Sequence, residues 1–592
     1  MKPRQHVWKW LLLGLVVVML VGLAAIPRQI GDSEQLRIRV TKALSEWTGG
    51  KVTLTEPWSV RFFPPLSIRG GFEVRDAHRL PLVQSITAKD IKISINFGHL
   101  LLGRFSIDGM RLNRPEITLK HQTAPHVSID EIANLLDGRT VDAVRLRAGT
   151  VRSSTGEDLA SKLDADFDMS DGNGILSAFG AFDLRGDRVR FVLDNGEFTT
   201  SDSVVSAPFR LRFSGPITAT FGGTAVFGDR LELNGALQAN IADGRRFLEW
   251  VGIPVPNGQS LQELSISGPA HLSGSTLTVE DGSFTLDGNS AIGLLAVTMG
   301  ERPRIEGTLD FERLVLDPYI GSNESDAATA PHNGAWLDWA LLKYFDTDLR
   351  ISAAKVVTSP IELGRGGFTL TAKHSVVAAE IGELELCGGL ATGRLALDLS
   401  QAKSKGSLVG NLVDLNLDAC LKPLALAAQI QGVGSFKANV TAEGDTVEEI
   451  VNGLTGDLKI RAEKGAVPVD FAALLTASAS QENGWSQKNP TPFDTLVADC
   501  SLTAGHISCQ RFKMQTPRGS ISGVGEVDIG RRTLDWSLSL ARLMAPLDAA
   551  KLSPPPRVSI YGPLAQPMIR RADRPTLEGS RQSPDTAPVS PR

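Results

Sequence analysis

The sequence has few of the residues that build metal sites, disulfide scaffolds and nucleic-acid surfaces. It contains 9 histidines, 4 cysteines and 3 tyrosines among 592 residues. Its 61 basic residues nearly balance its 66 acidic residues, so the composition lacks the basic excess that nucleic-acid-binding proteins need. Four cysteines are too few for a disulfide scaffold, but an even number in an exported chain is compatible with two structural bonds.

Sequence signatures of catalysis are also scarce. The stretch from Ser400 to Lys403 (SQAK) matches the S-x-x-K pattern of acyl-serine enzymes, but no K-T-G partner is present. The glycine-rich run from Gly364 to Gly367 has no phosphate-binding lysine, and we predict a β-turn there. His121 and His126 are isolated from other metal-ligating residues, which favours surface or packing roles. We therefore expect a protein that is not an enzyme and has no cofactor, metal site or catalytic residue.

Three carboxylates alternate with apolar residues in one segment. Asp164, Asp166 and Asp168 follow Leu163, Ala165 and Phe167, so strand geometry places all three acids on one solvated face. A calcium site is the alternative interpretation, but it would need further converging oxygen atoms.

The chain contains a single long apolar run. Between Trp10 and Ile26 it carries no charge, and such a helix just crosses a hydrocarbon core of about 30 Å. Lys2, Arg4 and Lys9 precede the run, so the positive-inside rule leaves the short N-terminus in the cytoplasm. We predict an uncleaved membrane anchor, with a cleaved signal peptide as the alternative. In both cases the bulk of the chain is exported.

Beyond the anchor, β-strands dominate the pattern. A first helix is predicted from Asp32 to Trp47, with a stop at Gly49 and Gly50. Strand periodicity then begins, and it is clearest from Ile91 to Phe97. Further strands are predicted at Ile117–Leu119, Leu231–Leu237, Leu277–Val279, Phe284–Leu286, Phe368–Leu370, Leu458–Ala462 and Leu534–Leu540, with a turn at Glu280–Ser283 and helices at Asp130–Leu136, Asp243–Val251 and Val469–Ala477.

The predicted fold class is mainly β. We expect an elongated, twisted antiparallel sheet that forms a curved apolar groove, with a few short helices and one N-terminal transmembrane helix. The predicted divisions are the cytoplasmic stub and anchor (1–30), an N-terminal β region (31–320), a polar linker (321–334), a C-terminal β region (335–569) and a disordered tail (570–592).

The order of these elements resembles the AsmA family of bacterial envelope proteins. The matching segments are collinear along the chain. They are Trp47–Val52, Pro64–Ile68, Ile91–Phe97, Leu100–Gly103, Leu112–Ile117, Phe247–Pro254, Leu316–Ile320, Leu454–Leu458, Lys464–Val467, Gly523–Asp528 and Tyr561–Leu564. Pro468-Val469 departs from the glycine-isoleucine-like pair expected before Asp470.

The resemblance implies a protein of bridge-like lipid-transfer type in the inner membrane, single-pass, with its bulk in the periplasm. It would move phospholipid between the inner and outer membranes and support outer-membrane biogenesis. Its partners would be phospholipid, the inner membrane and an outer-membrane or periplasmic protein, with no nucleic acid. A non-enzymatic factor that assists or regulates outer-membrane protein assembly is the alternative. An envelope hydrolase is a third hypothesis.

If the protein carries lipid, the inward side chains of its strands should face the acyl chains. We predict this role for Ile91, Ile93, Ile95 and Phe97, and expect Ile93→Asp to block lipid passage while a change at outward Lys92 does not. The alternative is a filled core, as in an ordinary β-sandwich. Periodicity alone does not separate the two.

Two disulfides complete the expectations. A hairpin centred on Ala504-Gly505 places Cys500 directly opposite Cys509, because each is equally far from the turn. Free thiols are the alternative. By elimination, Cys387 and Cys420 form the second pair.

Overall fold

A computed structural model describes most of the chain. The residues it describes are 33–61, 66–80, 82–96, 99, 105–120, 141–169, 175–201, 204–227, 230–255, 260–320, 344–358, 361–401, 403–424, 430–444, 447–471, 483–484, 489–540, 557–564 and 567–572. They form two compact units, one ending at Leu309 and the other beginning at Asp310. The predicted anchor and linker, and the predicted tail from residue 573 onward, lie outside these residues, so those domain limits stay predictions. The predicted start of the disordered tail is wrong, because Arg570 to Ala572 belong to a paired strand.

Strands make up most of the N-terminal unit. They are β1 (Lys51–Arg61), β2 (Ser67–Arg75), β3 (Val83–Ile95), β4 (Ile107–Asn113), β5 (Glu116–Leu119), β6 (Ala143–Arg152), β7 (Asp158–Asp168), β8 (Ser177–Leu184), β9 (Asp187–Asn195), β10 (Thr199–Ser201), β11 (Val204–Ser214), β12 (Thr218–Phe227), β13 (Leu231–Ile241), β14 (Leu264–Ser273), β15 (Thr276–Leu286), β16 (Asn289–Thr298) and β17 (Arg304–Val315), which runs across the division. The pairings given by register within this unit are antiparallel, except that β4 and β5 lie parallel to β6.

The C-terminal unit is built in the same way. Its strands are β18 (Asp346–Thr358), β19 (Ile361–Lys373), β20 (Val376–Leu386), β21 (Gly389–Asp398), β22 (Lys405–Asn416), β23 (Gln431–Glu443), β24 (Thr455–Val467), β25 (Asn483–Gly484), β26 (Thr491–Thr503), β27 (His506–Thr516), β28 (Gly519–Asp528), β29 (Thr533–Ser539), β30 (Arg557–Pro563) and β31 (Met568–Ala572). The pairings given by register within this unit are antiparallel, which confirms the mainly β class.

The helices in the described residues are few and short. They are α1 (Ser33–Thr48), α2 (Gly244–Val251), α3 (Asp317–Ile320), α4 (Leu417–Leu421), followed by a 3-10 turn at Lys422–Leu424, and α5 (Val447–Gly453). The side chain of Asp243 caps α2 by accepting a hydrogen bond from the Arg246 amide at 2.9 Å, and Gly252 ends it in a left-handed conformation. The predicted helices at α1 and α2 are confirmed. The one at Asp130–Leu136 and most of Val469–Ala477 lie outside the described residues.

Two predicted turns are wrong. The residues from Glu280 to Ser283 lie inside continuous β15, where the register against β16 shifts between Val279 and Gly282. Asp281 takes a positive φ of 46° at this bulge. The actual turn follows at Asp287-Gly288, where both residues have positive φ. The run from Gly364 to Gly367 is likewise a bulged part of β19.

Candidate functional site

The N-terminal end of the sheet has a closed core. Leu36, Val40 and Leu44 of α1 belong to one cluster with buried residues from β1 to β6, and each is fully buried. Burying a side chain of this size contributes roughly 1.5–3 kcal/mol. The apolar face of the sheet is therefore covered here by a helix from the beginning of the described chain.

This packing corrects the predicted lipid-facing role of the β3 isoleucines. Ile91 and Ile93 are 0% exposed and Ile95 is 1% exposed, within the cluster that α1 completes. These three side chains are therefore part of a filled core. Ile93→Asp would bury an unpaired charge and unfold the region, which makes it unsuitable as a test of lipid passage. Phe97 lies outside the described residues.

Further along the N-terminal unit, the sheet presents rows of apolar side chains. Leu211 on β11 lies opposite Leu193 on β9 and Phe221 on β12. Phe221 in turn lies opposite Leu237 on β13. Two more rows cross the same face: Phe191, Phe213, Ala219, Ala239, Ile266 and Phe284; and Ala207, Ala225, Leu233, Leu272, Leu277 and Val297. We call these three rows the N-terminal apolar face.

The N-terminal apolar face differs from the closed core in what packs on it. The described members of the cluster around Phe221 and Leu237 all lie on β11 to β17, whereas the closed core also contains α1. Leu211 stays half-buried, while Arg210 and Arg212 on the opposite face are exposed. Side chains of this face therefore pack mainly against neighbours in their own sheet. Most of them are half-buried, whereas five are at most 8% exposed: Ala207, Phe221, Ala225, Leu237 and Phe284.

The C-terminal unit repeats this arrangement. Its apolar face consists of two rows: Leu349, Leu370, Ala379, Leu395, Leu408 and Val440; and Ala391, Leu412, Phe436, Ile460, Ala498 and Phe512. Leu408 is 43% exposed. Towards β31 this unit also has a closed core, in which Ile521 and Val558 are fully buried and Phe471 and Phe493 are 3% and 2% exposed. Each unit thus combines a closed core with a half-open apolar face.

Both predicted disulfides are present. Cys500 and Cys509 are bonded across the β26–β27 hairpin, in the predicted register around Ala504-Gly505. They are 6% and 3% exposed, and they lie in an apolar cluster with Ala498. Cys387 and Cys420 are bonded, with 5.5 Å between their Cα atoms, and tie the β20–β21 turn to α4.

The predicted acidic face of β7 is a network of ion pairs. The guanidinium of Arg147 donates to both carboxylate oxygens of Asp166 at 2.8 and 2.9 Å, and Arg188 lies 3.1 Å from Asp164. The amide of Ala148 and the Arg188 guanidinium lower the pKa of Asp164 below its usual value. Among the described residues, no group of three or more histidine, cysteine or acidic side chains is placed to hold a metal ion.

In the S-x-x-K segment, the polar groups of Ser400 and Lys403 are paired with acidic residues. The hydroxyl of Ser400 donates to Asp398 at 2.6 Å, and Lys403 lies 3.7 Å from Glu449. Ala402 lies outside the described residues. The Ser400 hydroxyl therefore stabilises a turn, and the Lys403 amine forms an ion pair.

The predicted anchor from Trp10 to Ile26 falls outside the described residues and stays a prediction. Among the residues that the structure describes, none of the helices is both long enough and apolar enough to span a membrane.

The described residues thus define a mainly β protein with half-open apolar sheet faces. The model of the AsmA family matches residues 259–512, a little under half of the chain, and this match supports an AsmA-family protein. The matched residues take in parts of both units. No curated protein and no solved structure matches the chain.

Proposed function

We propose that this AsmA-family chain is anchored in the inner membrane, lies in the periplasm and moves phospholipid between the inner and outer membranes. Family membership is consistent with a role in the cell envelope. The single observation that carries the proposal is the half-open N-terminal apolar face, where the described residues of the cluster around Phe221 all lie on strands of one sheet. Two disulfides suit an oxidising compartment such as the periplasm.

The physical need for such a face is clear. A phospholipid in water exposes two acyl chains, at about 0.8 kcal/mol for each CH₂ group, so it leaves a bilayer very slowly. A row of half-buried leucines and phenylalanines offers apolar contact along the chains. The headgroup can remain hydrated at the edge of the face. No covalent bond is made or broken when a phospholipid moves along the face, so the protein needs only to position the lipid.

Photo-crosslinking from two adjacent residues of β11 tests the proposal. A benzoylphenylalanine at position 211 replaces a half-buried leucine of the apolar face, and the same group at position 212 replaces an exposed arginine of the opposite face. After irradiation of cells that express the full chain, mass spectrometry should detect phospholipid adducts from position 211 and not from position 212. A matched pair in the C-terminal unit is Leu395 and exposed Arg394.

Three outcomes would contradict the proposal. Equal lipid crosslinking from positions 211 and 212 would show that the face has no selectivity for acyl chains. Adducts with protein clients alone, from position 211, would favour the alternative role in outer-membrane protein assembly. Absence of any adduct from positions 211 and 395 would remove the support for lipid passage.

A further inference from the structure

A row of basic residues crosses the outward face of the N-terminal sheet. Arg69 on β2 lies opposite Lys92 on β3, and Lys92 lies opposite Arg111 on β4. Arg111 lies opposite Arg145 on the parallel strand β6. Directly opposed residues project from the same face with about 4.5–5.5 Å between their Cβ atoms, so four cations follow one another across four strands. We call these four residues the basic row.

The sheet holds the basic row rigidly. On the other face of the same strands, Ile68 lies opposite Ile93, and Ile93 lies opposite Met110. These three residues are at most 4% exposed and belong to the closed core. The basic side chains must therefore point away from that core.

Like charges directly opposite each other are destabilising, so an uncompensated row has a cost. Asp166 compensates one end, because it lies 3.6 Å from Arg145. Within the described residues, no ion pair involves Arg69, Lys92 or Arg111. Asp90 shares the face, and its carboxylate accepts a hydrogen bond from the Asn113 amide at 2.6 Å. The row keeps an excess of positive charge that an anionic partner would relieve.

The other end of the row opens into a small polar cavity. It has a volume of about 280 Å³ and is lined by Ser59, Val60, Arg61, Ser67 and Arg69. Register places Ser59 opposite Arg69 and Arg61 opposite Ser67, so the four side chains share one face. Both arginines and Ser59 are exposed there, while Ser67 is buried. Paired guanidinium groups and hydroxyls are the donors that bind phosphate oxygens.

The position of this surface in the chain indicates the partner. The first described helix begins at Ser33, seven residues after Ile26, where the predicted anchor ends. Seven extended residues span at most about 25 Å. With the anchor in a bilayer, the N-terminal unit must lie close to the bilayer surface, which is anionic when it contains acidic phospholipids.

We propose that the basic row and the adjoining Arg61 cavity dock on the anionic phospholipid headgroups of the membrane that holds the anchor. The proposal rests on the anchor of the proposed function, but it does not require lipid passage. Docking would fix the first strands of the sheet at the membrane surface. It would also compensate the like charges that the register places side by side.

Chemical footprinting of Lys92 tests the docking. The full chain is reconstituted in vesicles of phosphatidylcholine alone, or of phosphatidylcholine with about one third phosphatidylglycerol, and its lysines are acetylated with a water-soluble reagent. We expect Lys92 to be modified several-fold more slowly in the anionic vesicles at low salt. The protection should vanish near 1 M salt, where the Debye length is about 3 Å. Exposed Lys459, on β24 of the C-terminal unit, should react at the same rate in both.

A charge-matched pair of variants provides the control. Arg69→Glu/Arg111→Glu should abolish the protection of Lys92, since each basic side chain near an anionic surface favours docking by about fivefold, or about 25-fold for two. Arg210→Glu/Arg212→Glu makes the same charge change on β11 and should leave the protection intact. Circular dichroism checks that both variants are folded.

Several outcomes would overturn the docking proposal. These are equal modification of Lys92 in both vesicles, equal protection in the two charge variants, and protection by inorganic phosphate in phosphatidylcholine vesicles, which would make the site a free-anion site. Failure of docking leaves crosslinking at position 211 unaffected. Conversely, failure of that crosslinking leaves the Lys92 footprint unaffected, so the two proposals fail separately.

Discussion

Among the described carboxyl groups, Asp142 has an environment that disfavours its charged form. It lies between β4 and β7, since its backbone bonds join Ile107 and Met169. Burial raises the pKa of Asp142 above its usual value, and the charge of Asp108 raises it further, followed by a smaller effect of Asp168, while His99 acts in the opposite direction. The folded state therefore binds a proton at Asp142 more tightly than the unfolded state does.

This direction predicts how stability depends on pH. The contribution of a raised carboxyl pKa is most favourable below the unfolded value and is lost as pH rises through the folded value. Asp142→Asn removes the charge, so the variant should melt at a higher temperature than the wild type at pH 7. The difference should disappear below the unfolded pKa, where the wild-type carboxyl is also neutral. Differential scanning calorimetry at several pH values measures it.

Asp164→Asn is the matched control with the opposite sign. Because the pKa of Asp164 is lowered, its contribution to stability is present above the unfolded value and is lost as pH falls through the folded value. The variant should therefore melt at a lower temperature than the wild type at pH 7. A rise in melting temperature for Asp164→Asn, or a fall for Asp142→Asn, would contradict these assignments.

Residue-level patterns predicted orientation better than they predicted what covers a side chain. The alternation from Ile91 to Ile95 correctly indicated one inward face. It could not indicate that α1 packs on that face, because the covering residues come from a separate element with its own period. For Cys500 and Cys509 the local turn was sufficient, since a two-residue turn sets the hairpin register.

At the scale of elements, the sequence pattern did not distinguish a bulge from a turn, because both use the same residue types. Asp281-Gly282 and Asp287-Gly288 are both aspartate-glycine pairs, and both aspartates have positive φ. Only the second pair reverses the chain. The first inserts extra residues into a strand that continues, and strand continuity depends on pairing with β14 and β16. Local sequence carries little information on that pairing.

The structure also contains a repeat that the sequence pattern did not predict. β16 and β21 share the same alternation of buried and exposed positions along ten residues. The register shifts between β15 and β16, β20 and β21, and β27 and β28 occur near the middle of each pair. The repeat is preserved in backbone pairing and in four identical residues of β16 and β21: Ala291 and Ala391, Gly293 and Gly393, Leu295 and Leu395, and Ala296 and Ala396. The other six equivalent positions differ, so no exact period was visible.

The two disulfides should stabilise the C-terminal unit unequally. In the chain-entropy model the stabilisation grows with loop length, and the sequence separations are 33 for Cys387–Cys420 and 9 for Cys500–Cys509. The longer loop should contribute about 1 kcal/mol more. Reduction should therefore lower the melting temperature more in Cys500→Ala/Cys509→Ala, which keeps only the longer loop, than in Cys387→Ala/Cys420→Ala.

Each variant is compared with its own reduced form. The effect on the melting temperature of the packing lost with the replaced sulfur atoms then cancels. The chain with all four cysteines replaced by alanine is the control, and reduction should not change its melting temperature. A larger effect of reduction in the variant that keeps only Cys500–Cys509 would contradict the loop-length explanation. It would favour a hairpin whose bond contributes through packing in the apolar cluster around Ala498.

At the scale of the whole molecule, both units place closed and half-open apolar regions along one chain. In the N-terminal unit α1 covers the first strands, and the cluster from β11 to β17 contains strand residues alone. In the C-terminal unit Leu408 is exposed, while the last strands are closed over Ile521. Sheets that needed only stability would gain from covering every apolar row, so the rows that stay half-buried among the described residues are where the proposed function should be tested.

That function requires the two units to lie outside the cytoplasm. Lys2, Arg4 and Lys9 before the apolar run predict a cytoplasmic N-terminus, which places everything after Ile26 across the membrane. An alkaline phosphatase fused after Arg592 folds only in an oxidising compartment and should therefore be active. A cytoplasm-dependent reporter such as β-galactosidase, fused at the same residue, should be inactive.

The control for this topology reverses the charge bias itself. Replacing Lys2, Arg4 and Lys9 with glutamate while adding lysines after Ile26 should lower phosphatase activity and raise β-galactosidase activity, because the bias of basic residues sets the orientation. Activity of the cytoplasmic reporter alone, in the unaltered chain, would contradict the orientation. It would also leave Cys387–Cys420 and Cys500–Cys509 in a reducing compartment, where such bonds are rare.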